Sequence, residues 1–372
     1  MKLIAFYLPQ YYAFPENDKW WGEGFTEWTN VRKSKPLYPG HYQPTVPLNQ
    51  NYYTLNDPDV LKWQTALAKK YGVYGFCFYH YWFGENRMLM EKPVEMFLAH
   101  SEIEMPFCLS WANHNWTRTW TGGDHEILMD VRYGGEKEWE SHFEYLFPYF
   151  SDPRYICIDE KPVLVIYKPD LVPELEKMKD FLQEKAKKKG LNGITFISQE
   201  FVSDNEVNEL MDYHIQYEPA YSIKSVKRWH SMKIDKGTYP VEYAADVYKH
   251  DLGCKIKKLS GNRLCRINTY SYDKIWKYII ERPIPDKKAI AGCFVNCDVT
   301  PRRQDRAVIY KGATPEKFGK YLKQLVKKIN ESDNIKYLFV SAWNEWGEGM
   351  YLEPDELHRY AYLEAVKDAL ER

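Results

Sequence analysis

An alternation constrains this chain more than any other feature. Eight short apolar runs occupy residues 3–8, 74–79, 107–111, 162–167, 194–198, 214–217, 290–295 and 337–342. Segments with helical spacing lie between them, at 57–71, 91–100, 136–150, 173–189, 204–211, 270–281 and 314–330, and 356–370 closes the chain. Strands separated by helices pair in parallel, because a parallel neighbour needs a crossover connection. Runs that are apolar throughout are buried on both faces. A closed α/β (β/α)8 barrel, a TIM barrel, is the simplest solution. Residues 1–372 are expected to form one catalytic domain of this kind with long top-face loops. An open doubly wound sheet is the alternative. It is disfavoured because Pro9-Gln-Tyr-Tyr12, and no Gly-rich phosphate loop, follows the first run.

Charge narrows the partners. The net charge is −1, so the molecule is no electrostatic nucleic-acid binder. The balance is uneven, however. Residues 224–288 hold 16 Lys and Arg against 7 Asp and Glu, a net +9. They fall in a long insertion after the sixth strand, about 218–289, which a barrel carries on its top face. A basic loop there suits a phosphate-bearing substrate, and a solvated surface loop fits equally well. Seven Cys include no CxxC pair, and Cys77, Cys108, Cys157 and Cys293 sit in apolar runs as buried small hydrophobes. The N-terminal apolar stretch is short for a signal segment, and no run approaches the ~20 residues of a spanning helix. A cytoplasmic location is the expectation.

In a (β/α)8 barrel the chemistry sits at the C-terminal strand ends. Here the first run leads into Tyr11 and Tyr12, the second into His80, Tyr81 and Trp82, and the third into Asn113, His114 and Trp116. The sixth leads into Glu218, the seventh into Asp298 and Arg302, and the eighth into Asn344, Glu345, Trp346 and Glu348. With Trp28, these are the candidate substrate contacts. Any one of them can be packing; their convergence is the signal. Aromatic residues make up 16% of the chain, and a flat apolar face with a polar handle suits a sugar. Glu345 and Glu348 are the catalytic candidates. Paired carboxylates cleave glycosidic bonds, one as acid and the other as base or nucleophile, and neighbouring carboxylates push their pKa values apart. The competing assignment is a helix cap plus a salt bridge. Neither an HExxH helix nor a GxSxG elbow is present. His80 and His114 as metal ligands are the weaker option, so no metal or cofactor is expected.

Several segments together resemble a known family. They are Phe6-Tyr-Leu-Pro-Gln-Tyr-Tyr12, Trp21-Gly-Glu-Gly-Phe-Thr-Glu-Trp-Thr-Asn-Val31, Gly40-His-Tyr-Gln-Pro44, Gly75-Phe-Cys-Phe-Tyr-His-Tyr-Trp-Phe83, Trp111-Ala-Asn-His-Asn-Trp-Thr-Arg118, Asp298-Val-Thr-Pro-Arg-Arg303 and Asn344-Glu-Trp-Gly-Glu-Gly349. The last resembles the strand-eight motif of glycoside hydrolase family 99, the endo-α-mannosidases. The whole chain resembles the WbsX-type proteins of bacterial O-antigen and capsule clusters. The resemblance implies a (β/α)8 fold and retaining chemistry in which the substrate's own 2-hydroxyl attacks through a 1,2-anhydro sugar. Glu345 would deprotonate that hydroxyl, and Glu348 would be acid, then base. It implies an oligosaccharide or lipid-linked glycan as substrate. A glycosyltransferase using a phosphorylated donor in lipopolysaccharide synthesis, and a non-catalytic glycan-binding barrel, are the alternatives. His114 departs from the Glu common at that position in WbsX-type sequences, and Thr121 follows Trp120 where an Asp is often found.

Overall fold

The computed structural model describes residues 1–118, 123–200, 205–224, 252 and 268–371. Eight strands build the barrel: β1 (Lys2–Tyr7), β2 (Val73–Gly84), β3 (Phe107–Trp111), β4 (Lys161–Ile166), β5 (Thr195–Glu200), β6 (Tyr213–Gln216), β7 (Ala289–Phe294) and β8 (Tyr337–Ser341). Each pairs in parallel with the next, and β8 pairs with β1, so the ring closes. Around it lie α1 (Pro58–Lys70), α2 (Lys92–Ala99), α3 (Glu136–Phe150), α4 (Leu175–Lys188), α5 (Asn205–Leu210), α6 (Tyr272–Glu281), α7 (Pro315–Glu331) and α8 (Ala361–Leu370). The fold is the (β/α)8 barrel that the alternation predicts.

The helices start where local chemistry lets them. Thr314 accepts a hydrogen bond from the Lys317 N–H, and Pro315 opens the first turn of α7. Its buried face is Phe318, Leu322, Leu325, Val326 and Ile329, one stripe at three- and four-residue spacing. Asp57 caps α1 through the Asp59 N–H, and that helix buries a polar residue, Gln64. Inside the barrel, Phe6 of β1 meets Tyr79 of β2, Tyr217 beyond β6 and Phe339 of β8, with ring centroids 5.4–5.6 Å apart. Rings from such distant strands meet only if they point inward. They floor the cleft above.

Two expectations change in detail. The second strand runs to Gly84 and returns as an antiparallel ribbon, Arg87–Leu89. The tight turn is made by Glu85 and Asn86, both with positive φ. Cys157 lies exposed, at the edge of a short hairpin with β4, while Cys77, Cys108 and Cys293 are buried. The insertion at about 218–289, with its basic stretch, falls largely outside the described residues; Asn268–Ser271 within it pairs with Val308–Lys311. No described helix is long and apolar enough to cross a membrane.

Candidate active site

The loop after β8 is fixed before it reaches the cleft. The Asn344 carboxamide accepts from the Leu8 N–H (2.8 Å) and donates to the Leu8 carbonyl (3.0 Å), tying β8 to β1. The Tyr11 hydroxyl donates to the Asn344 carbonyl and accepts from the Trp346 N–H (3.2 Å). It therefore clamps the backbone on both sides of Glu345. Residues Trp346–Glu348 form one 3₁₀ turn with Glu345 as its N-cap. Residues three apart eclipse in such a turn, so both carboxylates face one side.

They face Arg302. Its guanidinium donates from Nη2 to Glu345 (3.0 Å), from Nη1 to Glu348 and from Nε to Glu27 (2.8 Å). Glu27 opens the short helix Glu27–Lys33 and is fully buried. The three acids come from two separate stretches of chain, and the cation from a third. Gly347 is the space they share: a Cβ there would lie 1.7 Å from Glu27 Oε1 and 2.8 Å from Arg302 Nε. Gly349 takes φ +65°, and a Cβ there would lie 2.9 Å from the Asp298 N, whose N–H donates to the Glu348 carbonyl (2.7 Å).

The electrostatics follow from three acids sharing one cation. Burial is the main force raising the Glu345 pKa to about 8; Arg302 opposes it, and Glu348 and Glu27 reinforce it. Burial works against the Arg302 charge, but Glu27, Glu345 and Glu348 outweigh it and hold the guanidinium well above its usual value. Glu345 keeps 10% of its side chain exposed and Glu348 28%, so Glu348 is the outer member. Burial thus favours a proton on the deeper carboxyl while it still touches the cation.

The candidate residues divide. Tyr81, His114, Trp116, Arg302, Glu345 and Glu348 line one cleft of ≈560 Å³. Ten others do not line it. Tyr11 and Asn344 act on the loop backbone as above. Trp28 donates to the Tyr53 carbonyl (2.9 Å) and packs on Tyr11 and Trp346. Trp346 donates to Glu353 (2.7 Å). Asn113 grips both backbone groups of Lys168 at 2.7 Å, joining β3 to β4 as Asn344 joins β8 to β1. His80 and Trp82 lie on β2 itself, where alternate residues face opposite sides. Tyr79 and Tyr81 face in, whereas His80 meets His142 of α3 (3.0 Å) and Trp82 donates to Glu138 (2.7 Å). Tyr12 is buried against Phe14. Glu218 pairs with Arg282 (2.5 Å).

Asp298 is also buried, held by His41 (2.6 Å), Gln43 (2.9 Å) and Thr300. Burial pushes its pKa up, but bonds from His41, Thr300 and Gln43 prevail and hold it below the usual range. Thr300 opens the turn Thr300–Arg303 that carries Arg302, so Asp298 anchors the cation. Among the described residues, no group of three or more His, Cys, Asp or Glu could hold a metal ion.

Sequence reasoning missed Glu27 as a member of the cluster and Tyr79, Tyr167, Tyr270 and Tyr310 on the cleft wall. Gln10, which follows the first strand directly, lines the cleft as well.

Fold and cleft together define a (β/α)8 barrel with a carboxylate pair in a cleft at the C-terminal strand ends. The chain belongs to the WbsX family, whose model, described as "Glycosyltransferase WbsX", matches residues 3–366. It is 31% identical over 373 residues to a protein of Xanthomonas campestris pv. campestris strain B100 named "Uncharacterized protein WxcX". It is 32% identical over 377 residues to the protein of that name in strain ATCC 33913. All of this chain is covered in both matches, but the chain spans about half the length of those relatives. Among solved structures it is similar to the family 99 endo-α-mannosidase of Bacteroides thetaiotaomicron, with TM-score 0.56 and 16% identity over 99% of this chain and 96% of that one. It is also similar to a "Glycoside hydrolase-like protein", with TM-score 0.56 and 12% identity over 100% and 94% of the chains. At these identities the likeness is one of fold.

Proposed function

We propose that residues 1–372 form a catalytic unit that cleaves or transfers a glycosidic bond with retention, using Glu345 and Glu348. The bound glycan would be an oligosaccharide or lipid-linked precursor of a bacterial surface polysaccharide. The observation that carries this proposal is the pair itself: two carboxyl groups on one guanidinium, at the end of β8, with burial holding a proton on one. A pair sharing one proton has a donor and an acceptor in the same site. Glu348, the outer member, serves the glycosidic oxygen as acid and later activates the acceptor. Glu345, the deeper one, takes the proton of the sugar's 2-hydroxyl. This division requires the proton to reside on Glu348 when the bond breaks, and Arg302, bonded to both heads, can follow the charge. Water as acceptor gives hydrolysis; a sugar hydroxyl gives transfer. The test is incubation with α-linked manno-oligosaccharides and related glycans, with product anomers followed by NMR. Glu345→Gln and Glu348→Gln should each lower turnover by at least ~100-fold. Cleavage by Glu348→Gln at the wild-type rate would remove the mechanism.

A second reading is transfer from a phosphorylated donor. Lys224 and Arg303, which line the cleft on its β6–β7 side, favour it, since cations there suit a phosphate. Calorimetric titration with a panel of sugar nucleotides decides it, and absence of binding rejects a nucleotide-dependent form.

A further inference from the structure

Among the described residues, two polar side chains on the cleft wall each have a buried atom without a hydrogen-bond partner. Gln10 follows β1, is 1% exposed and lines the cleft, and its Nε2 has no hydrogen-bond partner among the described residues. His114 follows β3, lines the same cleft, and its Nδ1 is likewise buried and unpartnered. Neither side chain is loosely placed. The Gln10 carbonyl accepts the Glu27 N–H (3.1 Å), so the residue is anchored to the segment that supplies the third acid. The His114 ring stacks on Tyr167, with centroids 5.0 Å apart and an interplanar angle of 25°. Buried polar atoms almost always find a partner, and one left unpaired carries its full desolvation cost. Where such atoms border a cleft, a ligand can supply the missing bond.

We infer that Gln10 and His114 form an uncharged hydrogen-bonding strip that reads the hydroxyl groups of a neutral pyranose beside Glu345. This rests on the carbohydrate reading above and narrows it to a class of sugar. An amide and a neutral imidazole each offer both a donor and an acceptor, and a hydroxyl also does both. His114 is kept neutral because burial, and then Lys168, hold its pKa down to about 4. A sugar carboxylate wants donors alone, and here it would meet three acids gathered on one guanidinium. Tyr81 and Trp116, edge to face at 5.3 Å, present aromatic surface to the apolar side of the ring.

The experiment is saturation-transfer NMR on the full chain, with two sets of probes. One set is the methyl α-glycosides of mannose, glucose, galactose and rhamnose; the other is those of glucuronic and galacturonic acid. At least one neutral glycoside should bind, and more tightly than either uronide. Gln10→Leu and His114→Phe should each weaken it about 10-fold, equivalent to 1.4 kcal/mol. Both variants should unfold at a temperature no lower than wild type, because each removes a group the fold leaves unpaired. If one fails to fold, the other carries the test. Unchanged neutral-sugar binding in the variants, a drop in stability without loss of binding, or preference for a uronide would overturn the inference while leaving the carbohydrate reading intact. Binding of no glycoside would overturn both.

Discussion

Glu345 and Glu353 are buried glutamates on the same loop, and their surroundings are opposites. Glu345 borders a cleft and touches a guanidinium. Glu353 is 3% exposed and accepts from Tyr53 Oη (2.8 Å), Gln64 Nε2 (2.7 Å) and Trp346 Nε1 (2.7 Å). No cation lies within ion-pair distance of it among the described residues. Burial is the chief cause of a raised pKa in both, to about 8 for Glu345 and about 7 for Glu353, where the Trp346, Gln64 and Tyr53 donors hold it back. Similar proton affinities thus arise in two ways. At Glu345 the opposing force is a cation shared with other acids, which a substrate in the cleft can disturb. At Glu353 it is a set of neutral donors sealed in the wall. The first arrangement suits proton transfer, and the second fixes the indole of Trp346 behind the turn that carries Glu345 and Glu348.

The comparison breaks most visibly at Arg302. Arg302→Met strands Glu27, Glu345 and Glu348 without a cation. Breaking a buried ion network from one side costs about 3–5 kcal/mol. The loss should be largest at pH 8 and shrink at pH 5, where Glu345 is protonated and no longer repels its neighbours. Urea unfolding at the two pH values checks this. A loss independent of pH would mean that the three acids are not charge-coupled through Arg302.

Much of this frame is legible in the sequence, because hydrophobic periodicity carries it. Each expected strand overlaps a barrel strand, and Glu345 and Glu348 stand where the eighth one ends. What escaped depends on direction and distance. The second apolar run stops at Tyr79, since His80 is polar, yet a strand buried on both sides admits His80 when α3 offers His142. The same period of two that puts Tyr79 and Tyr81 in the cleft sends His80 and Trp82 out of it. Glu27 is 275 positions from Arg302 and lies on no strand end, so neither spacing nor topology points to it. The ten buried candidates share a composition signal with ligand contacts. Aromatic and amide groups that hold a loop look, in sequence, like those that hold a sugar.

Replacing the second glutamate isolates its titration. The Glu353 pKa in the folded chain is about 7, against an ordinary value of about 4.3. Between these values the unfolded chain has released its proton and the folded chain has not. Stability therefore falls as pH rises through this window, by ~4 kcal/mol in all, and levels off above it. Glu353→Gln cannot titrate. Its amide meets the three donors badly, but that cost is constant with pH. The stability of Glu353→Gln relative to wild type should thus improve by ~3 kcal/mol between pH 4 and pH 8, read from urea midpoints. A flat difference would show that Glu353 ionises at its ordinary pKa, and the likeness to Glu345 would be lost.

The smallest effect tests the donors themselves. Tyr53→Phe removes one bond to Glu353 and keeps the ring that packs on Tyr11 (5.3 Å) and Trp28 (5.2 Å). The Tyr53 carbonyl, which holds the Trp28 indole, is untouched. A hydrogen bond to a neutral acceptor is worth about 1 kcal/mol, and one to a charged acceptor about 1.5–3 kcal/mol. The variant should therefore lose about 1 kcal/mol at pH 5, where Glu353 is protonated, and about 2 kcal/mol at pH 8.5, where it is ionised. This slope has the opposite sign to that of Glu353→Gln, because removing a donor makes ionisation costlier while removing the acid makes it irrelevant. A loss that is equal at both pH values would mean that Tyr53 bonds a group whose charge does not change. Glu353 would then be a fixed strut, and burial rather than its neutral donors would set the contrast with Glu345.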